Sequence, residues 1–134
     1  MTLEPGPAFG TGLHETTQLC MELLERHVSA GGRVLDVGTG TGILAIAAVL
    51  LGAENALAVD RDPVAVKVAR ENAERNRVSD RVEAREGDLL AGINGVYGVV
   101  AANIVADVII SMMPDVQSVL APEGVFIASG IVLE

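Results

Sequence analysis

The sequence predicts a single α/β domain: a doubly wound, mostly parallel sheet of about five strands flanked by helices. Strand-like and helix-like segments alternate along most of the 134 residues, which favours parallel strands joined by right-handed crossovers. Half of the residues are apolar but only three are aromatic, so the core must be aliphatic. The stretch Val34–Gly42, Val-Leu-Asp-Val-Gly-Thr-Gly-Thr-Gly, has the pattern of a buried strand followed by a tight turn into a helix.

The N-terminal part of the chain is predicted to be a loop followed by one helix. Residues 1–14 contain two prolines and three glycines, which argue against a regular element. Thr16 or its neighbour is predicted to cap a helix that ends at Gly31-Gly32. Cys20 and Leu24 lie on the apolar side of this helix, so we expect Cys20 to be a buried small side chain and not a reactive thiol. As the one cysteine in the chain, it allows no internal disulfide.

The rest of the chain, residues 33–134, is predicted to be the α/β core of one domain that spans residues 1–134. Its elements are mostly apolar runs bounded by glycine, proline or a helix-capping residue. After the strand that precedes the glycine loop they are a helix at 43–51, a strand at 55–59, a helix at 62–76, a strand at about 81–85, a strand at 98–103, a helix at about 105–120 and a strand at 125–129. We expect Pro114 to kink or break the last helix.

The loop that contains Gly38, Gly40 and Gly42 is the predicted ligand site. Glycine permits positive φ and a close approach of backbone to ligand, and the helix that follows offers free N–H groups and the positive end of its dipole. This geometry suits a nucleotide or a nucleoside. Residues 40–45 also satisfy the G-x-G-x-x-G/A dinucleotide pattern. Asp36 argues against a dinucleotide and for a cationic ligand, because its charge would repel a pyrophosphate at Gly40 but not a cation.

Three polar residues at the ends of predicted strands are further candidates. Asp60 lies 20 residues after Gly40, where an acidic side chain commonly accepts hydrogen bonds from the two ribose hydroxyls. Asp88 follows the third strand, where it either accepts from the exocyclic amine of an adenine or is a plain turn residue. Asn103 ends a nearly continuous apolar run, which is expected of a central strand buried on both faces. Because the carboxyl ends of parallel strands share one edge of the sheet, we expect Asn103 to lie beside the glycine loop.

Three stretches together resemble one family. They are residues 4–17, Glu-Pro-Gly-x-Ala-Phe-Gly-Thr-Gly-x-His-x-Thr-Thr; the glycine loop with Asp36; and Asn103-Ile104-Val105-Ala106. With these motifs the chain resembles the ribosomal protein L11 methyltransferase (PrmA) family of class I S-adenosylmethionine-dependent methyltransferases. The first stretch is much more restrictive than the glycine loop, which many methyltransferases share. The resemblance implies a Rossmann-like fold, and S-adenosylmethionine as cofactor with S-adenosylhomocysteine as product.

The resemblance also implies roles for individual residues. Residues 9–11 would form a wall of the cofactor pocket, the glycine loop would contact the methionine moiety, and Asp60 would bind the ribose. Asn103 would face the substrate nitrogen, which makes it the predicted catalytic residue, and no metal site is predicted. The predicted cofactor-binding residues are Phe9, Gly10, Thr11, Asp36, Gly38, Thr39, Gly40, Gly42, Asp60, Asp88 and Asn103.

The activity that the resemblance implies is methyl transfer to a protein amine, either a lysine side chain or an N-terminus, with a ribosomal protein as the expected substrate. A nicotinamide-dependent oxidoreductase that uses residues 40–45 and Asp60 is one alternative, and a non-catalytic cofactor-binding fragment is another. Members of the family carry a substrate-recognition domain before the Glu-Pro-Gly loop, and a further helix and strands after the fifth strand. We therefore expect a trimmed catalytic core that lacks the C-terminal strands, binds the cofactor and methylates ribosomal protein poorly on its own.

Composition and charge limit the classes of molecule that the protein can bind. A formal net charge of −9 and a pI near 4.6 argue against attachment to nucleic acid or to an anionic membrane, and are compatible with a basic protein partner. The apolar run 43–51 is too short to span a bilayer and the N-terminus has no basic segment, so we expect a cytoplasmic protein. If the fifth strand ends the sheet, its open edge predicts homo-oligomers.

Overall fold

The computed structural model describes residues 14–129 and 131–133, and within them helices and strands alternate as predicted. In chain order the elements are α1 (His14–His27), β1 (Arg33–Val37), α2 (Ile43–Leu50), β2 (Asn55–Asp60), α3 (Pro63–Arg75), β3 (Val82–Glu86), β4 (Tyr97–Ala102), α4 (Ala106–Val116), β5 (Leu120–Ala128) and β6 (Ile131–Leu133). None of the helices in the described part of the chain has the length and apolar character needed to cross a membrane.

The strands form one sheet in the order β3-β2-β1-β4-β5-β6. The first five are parallel to their neighbours, and β6 pairs antiparallel with β5. The predicted α/β class and parallel sheet are confirmed, with one strand more than the five expected. Because β6 pairs with Phe126–Ala128, the predicted open edge of the fifth strand is wrong over those residues. The three residues of β6 are too short a run to be identified as a strand without the partner strand.

Several element boundaries differ from the prediction. α1 begins at His14, so Thr16 lies inside its first turn and does not cap it. α4 continues past Pro114 to Val116, so the proline precedes the helix end by two residues. β5 begins at Leu120 because Tyr97 pairs with Leu120 and the next pair is Val99 with Val125. The predicted turn at residues 122–124 is therefore an irregularity inside this strand.

The apolar core lies on both faces of the sheet. One cluster joins α1, α2 and α3 to strand residues such as Val34 and Ile127, and it includes Cys20, which is fully buried as predicted. The second cluster joins α4 to residues that point the other way, such as Leu35 and Phe126. Alternate residues of each buried strand thus pack on opposite helix layers. This arrangement holds the strand ends rigidly and positions the loops that follow them.

Candidate functional site

The candidate site lies at the carboxyl edge of the sheet, where the order of the strands reverses. β1 pairs with β2 on one side and with β4 on the other, and open α/β sheets bind ligands at such a point. A cavity of about 470 Å³ lies here between the glycine loop, the ends of β2 and β4, and α4. Its volume is typical of small-molecule sites. The predicted residues that line it are Asp36, Gly38, Thr39, Gly40, Asp60 and Asn103.

The glycine loop is held against the ends of two strands. Its three glycines all have positive φ. The backbone N–H groups of Gly38 and Thr39 donate to the carbonyl of Val59 in β2, at 2.8 and 3.0 Å. A β-carbon at Gly38 would lie 2.5 Å from a methyl group of Ile104, which follows β4. Both the backbone conformation and the available space therefore require glycine at position 38.

Gly42 has a different place in the structure. It is the N-cap residue of α2, with φ 85°, and it does not line the cavity. A β-carbon there would lie 3.0 Å from the β-carbon of Ala69 in α3. The close approach of α3 to the start of α2 accounts for this glycine, and its predicted contact with the cofactor stays a prediction.

Asp36 is a buried acid beneath the glycine loop. Its side chain accepts a hydrogen bond from the Thr39 hydroxyl at 2.6 Å through Oδ2, while Oδ1 has no hydrogen-bond partner among the residues that the structure describes. Burial raises the pKa of Asp36 from 3.8 to about 7; the Thr39 hydroxyl and the nearby backbone N–H of Ala45 lower it, and neighbouring Asp60 raises it. A cationic ligand group beside Oδ1 would stabilise the ionised carboxylate.

Asp60 connects the glycine loop to the end of β2. Its Oδ2 accepts from the backbone N–H of Gly40 and its Oδ1 from the backbone N–H of Asp62, each at 3.0 Å. A carboxylate oxygen has a further lone pair after one such bond, so Asp60 retains acceptor capacity on the cavity side. Its binding to a ribose stays a prediction, but the structure adds a second role, because the same side chain holds the loop in place.

Asp88 does not reach the cavity wall. Its side chain is exposed and lies 3.7 Å from the guanidinium of Arg61, whereas its neighbours Gly87 and Leu89 line the cavity. The proposed contact with adenine stays a prediction. Arg61 also lines the cavity. Its sequence position did not predict this, because an arginine after the second strand has the pattern of an exposed turn residue.

Asn103 is held by Thr17, a residue of the Phe-Gly-Thr-Gly-x-His-x-Thr-Thr motif for which no role was predicted. Its Nδ2 donates to the hydroxyl of Thr17 in α1 at 2.7 Å, and its Oδ1 is buried with no hydrogen-bond partner in the described residues. Thr17 is 7% exposed and lines the cavity. It shares a helix face with Cys20 and Leu24, and a polar residue on an apolar helix face is the signal that could have identified it.

The remaining predicted wall of the pocket, formed by Phe9, Gly10 and Thr11, lies outside the described residues.

Comparison with known proteins identifies close relatives over the whole chain. The family model described as ribosomal protein L11 methyltransferase (PrmA) matches residues 1–134. The chain is 54% identical to the ribosomal protein L11 methyltransferase of Heliobacterium modesticaldum over 132 residues, which cover 98% of this chain and 42% of that protein. The chain spans less than half the length of these curated relatives.

Solved structures agree with this comparison. A ribosomal protein L11 methylase from Lactobacillus delbrueckii subsp. bulgaricus superimposes with a TM-score of 0.87 at 40% identity, covering 94% of this chain and 64% of that one. An RNA methyltransferase from Salinibacter ruber in complex with S-adenosyl-L-homocysteine superimposes with a TM-score of 0.73 at 26% identity, covering 92% of this chain and 76% of that one.

Proposed function

This chain belongs to the ribosomal protein L11 methyltransferase (PrmA) family, and on that premise we propose that it forms the catalytic core of an S-adenosylmethionine-dependent protein methyltransferase. The acceptor is an amine of a basic protein, a lysine side chain or an N-terminus, and ribosomal protein L11 is the substrate that the names of the relatives indicate. The nicotinamide-dependent alternative is not favoured, because the relatives over nearly the whole chain are named as methyltransferases.

One observation carries the proposal. Asp36 Oδ1 and Asn103 Oδ1 have no hydrogen-bond partner within the described residues, and both residues line the cavity. Buried acceptors without a partner are rare in folded proteins, and a ligand in the cavity that both residues line is a donor source that fits both oxygens. S-adenosylmethionine carries an ammonium group, which suits Asp36. The acceptor amine carries N–H groups, which suit Asn103.

The other residues of the cavity fit the same ligand. The glycine loop brings backbone close to it, and Gly38 leaves no room for a side chain between the loop and Ile104. Asp60 lies at the end of β2, where its free lone pairs suit the two hydroxyls of a ribose. The absence of a pyrophosphate from the ligand suits a site whose acids, Asp36 and Asp60, line the same cavity.

In the proposed mechanism Asn103 orients the acceptor nitrogen. When bound, S-adenosylmethionine supplies a methyl group that its sulfonium charge has already activated. The bond from Nδ2 to the Thr17 hydroxyl orients the Asn103 amide, and its carbonyl oxygen, which has no partner among the described residues, would accept an N–H from the neutral amine. This hydrogen bond would turn the nitrogen lone pair toward the methyl group of a bound cofactor. Proximity and alignment of this kind lower barriers by up to roughly 7–11 kcal/mol.

The amine must be neutral to react. A lysine side chain has a reference pKa of about 10.4, and a partly dry cavity that holds a cationic ligand lowers the pKa of the amine by desolvation and by charge repulsion. The neutral amide of Asn103 suits this step, since a carboxylate in its place would stabilise the ammonium form that cannot attack.

Charge supports a protein acceptor. The net charge of −9 favours approach of a basic protein and disfavours nucleic acid. We propose a cytoplasmic location because the relatives are named as methyltransferases of a ribosomal protein.

Separate calorimetric titrations of the same sample, one with S-adenosylhomocysteine and one with NAD, test the cofactor. Binding of the first and not the second is expected, and binding of NAD alone would refute the proposal. Transfer of radiolabelled methyl to ribosomal protein L11 tests the reaction. Asn103→Leu keeps the side-chain size and loses the acceptor, so it should retain S-adenosylhomocysteine binding and lose at least about tenfold in transfer rate. Equal transfer by wild type and variant would remove Asn103 from the mechanism.

A further inference from the structure

Asn72, in α3, is a fully buried polar residue that does not line the cavity. Its Nδ2 donates to the backbone carbonyl of Thr41 in the glycine loop at 2.9 Å, across 31 residues of sequence. Thr41 itself is buried and lines the cavity. Asn72 thus contacts the glycine loop without being part of the cavity wall.

The side-chain amide of Asn72 has one consistent orientation. Its Oδ1 accepts from Nη1 of Arg75 at 3.1 Å. A guanidinium only donates hydrogen bonds and a backbone carbonyl only accepts them. The amide oxygen must therefore face Arg75 and the amide nitrogen must face Thr41, whichever way the two atoms are first assigned.

The helix that carries Asn72 is itself anchored on two sides. Arg70 donates through Nε to the carbonyl of Ala84 in β3 at 3.0 Å. On the loop side, Ala69 packs so closely against Gly42 that a β-carbon at Gly42 would approach it to 3.0 Å. Asn72 follows Ala69 by three residues, so the hydrogen bond and this close packing both join α3 to the start of α2.

The hydrogen bond from Asn72 sets the direction of the Thr41 carbonyl. The loop is already attached to β2 through the N–H groups of Gly38 and Gly40. Asn72 holds the carbonyl of Thr41 toward α3. A carbonyl oxygen that turned into the cavity would repel the carboxylate of an amino-acid ligand at the N-terminus of α2, where the helix dipole otherwise attracts it.

We propose that Asn72 is a positioning residue for cofactor binding: it keeps the Thr41 carbonyl out of the cavity, so that the loop is ordered before the cofactor arrives. The inference rests on the proposed function. Removal of the Asn72 donor lets the peptide unit at Thr41 reorient, and the cofactor then binds only the fraction of molecules with the loop in place.

The test is S-adenosylhomocysteine binding by Asn72→Leu, measured calorimetrically at a temperature where circular dichroism shows the protein folded. We expect Kd to rise about tenfold, the effect of one well-placed hydrogen bond. In methyl transfer, KM for S-adenosylmethionine should rise by a similar factor and kcat should stay within about twofold, because Asn72 is not at the cavity wall. A purely structural residue would lower the melting temperature and leave Kd unchanged.

Two further variants complete the design. Asn76→Leu is the matched control: Asn76 donates to the backbone carbonyl of Asn72 at 2.8 Å, so its loss perturbs the same helix end, and Kd should stay within about twofold. Arg75→Met, at an exposed position, releases the Asn72 amide and should raise Kd about threefold; it replaces Asn72→Leu if that variant does not fold.

Unchanged Kd in Asn72→Leu, or in Arg75→Met where that variant replaces it, overturns the inference. Failure of the wild-type chain to bind S-adenosylhomocysteine would instead refute the proposed function.

Discussion

Replacement of Asp36 by asparagine should stabilise the protein at neutral and alkaline pH. Burial raises the pKa of this carboxyl from 3.8 to about 7. An acid whose pKa is higher in the folded state keeps its proton where the unfolded chain has lost it, so raising the pH favours unfolding. The resulting loss in the free energy of unfolding is absent below about pH 4, grows between about pH 4 and 7, and is complete above about pH 7. Asparagine stays neutral at every pH and avoids it.

The magnitude follows from the change in pKa of Asp36. The pKa rises from 3.8 to about 7. At about 1.4 kcal/mol for each pKa unit, this lowers the free energy of unfolding by about 4 kcal/mol, as an order of magnitude. Any packing cost of the amide adds the same amount at every pH. The pH dependence of the difference between Asp36→Asn and wild type is therefore the signal: it should grow by about 4 kcal/mol from about pH 4 to about pH 8.

Urea unfolding of both proteins across this pH range measures the difference. Asp62→Asn is the matched control, because it makes the same chemical change at the exposed cap of α3. A difference between Asp36→Asn and wild type that does not change with pH would refute the reasoning, since it would mean that Asp36 is ionised in the folded protein throughout.

The same carboxyl should link ligand binding to pH. The ammonium group of S-adenosylhomocysteine favours the ionised form of Asp36, whose pKa of about 7 in the free protein then falls. Affinity should rise with pH up to about pH 7 and then level off, with release of close to one proton at about pH 6. Calorimetry in buffers of different ionisation enthalpy measures that proton. Asp36→Asn should bind more weakly at about pH 8 and show no such dependence.

Substitutions at three further positions test the site. Asp60→Ala should weaken S-adenosylhomocysteine binding by about 1.5–3 kcal/mol in calorimetry, and should also lower the melting temperature because the N–H of Gly40 loses its acceptor; unchanged affinity would exclude Asp60 from the site. Thr17→Val should slow methyl transfer about tenfold because the Asn103 amide loses the hydroxyl that orients it, while Thr17→Ser should retain most of the rate; equal rates for both variants would contradict this. Gly38→Ala should lower the free energy of unfolding by about 1–3 kcal/mol and abolish binding, because position 38 has φ 70° and a β-carbon there would lie 2.5 Å from a cavity-lining methyl group. Wild-type affinity would contradict this prediction.

Local patterns predicted the fold class well because they act within a few residues. The apolar run of β1, the glycines after it and the Asp62-Pro63 start of α3 each specify a strand, a turn or a helix without reference to the rest of the chain. Helix and strand limits were less accurate where a distant partner decides them. β6 exists as a strand because β5 offers it a free edge, and no pattern within three residues contains that information.

The candidate site was predictable where the position in a strand decided it. Asp36, Asp60 and Asn103 line one cavity because parallel strands end at one edge of the sheet. Their hydrogen-bond partners were not predictable. Thr17 lies 86 residues from Asn103 in sequence, and the distance between their side chains depends on how α1 packs on the sheet.

The sequence by itself determined the alternation of strands and helices, the ligand loop with its glycines, and the family, because these depend on short-range sterics and on motifs that are contiguous in the chain. Only the tertiary structure decided which polar atoms are satisfied and which are left for a ligand. Asp36 Oδ1 and Asn103 Oδ1 are candidates for ligand contact because the folded chain buries them and neither oxygen has a hydrogen-bond partner among the described residues. Burial of that kind is a property of packing between distant segments, which no local pattern of residues contains.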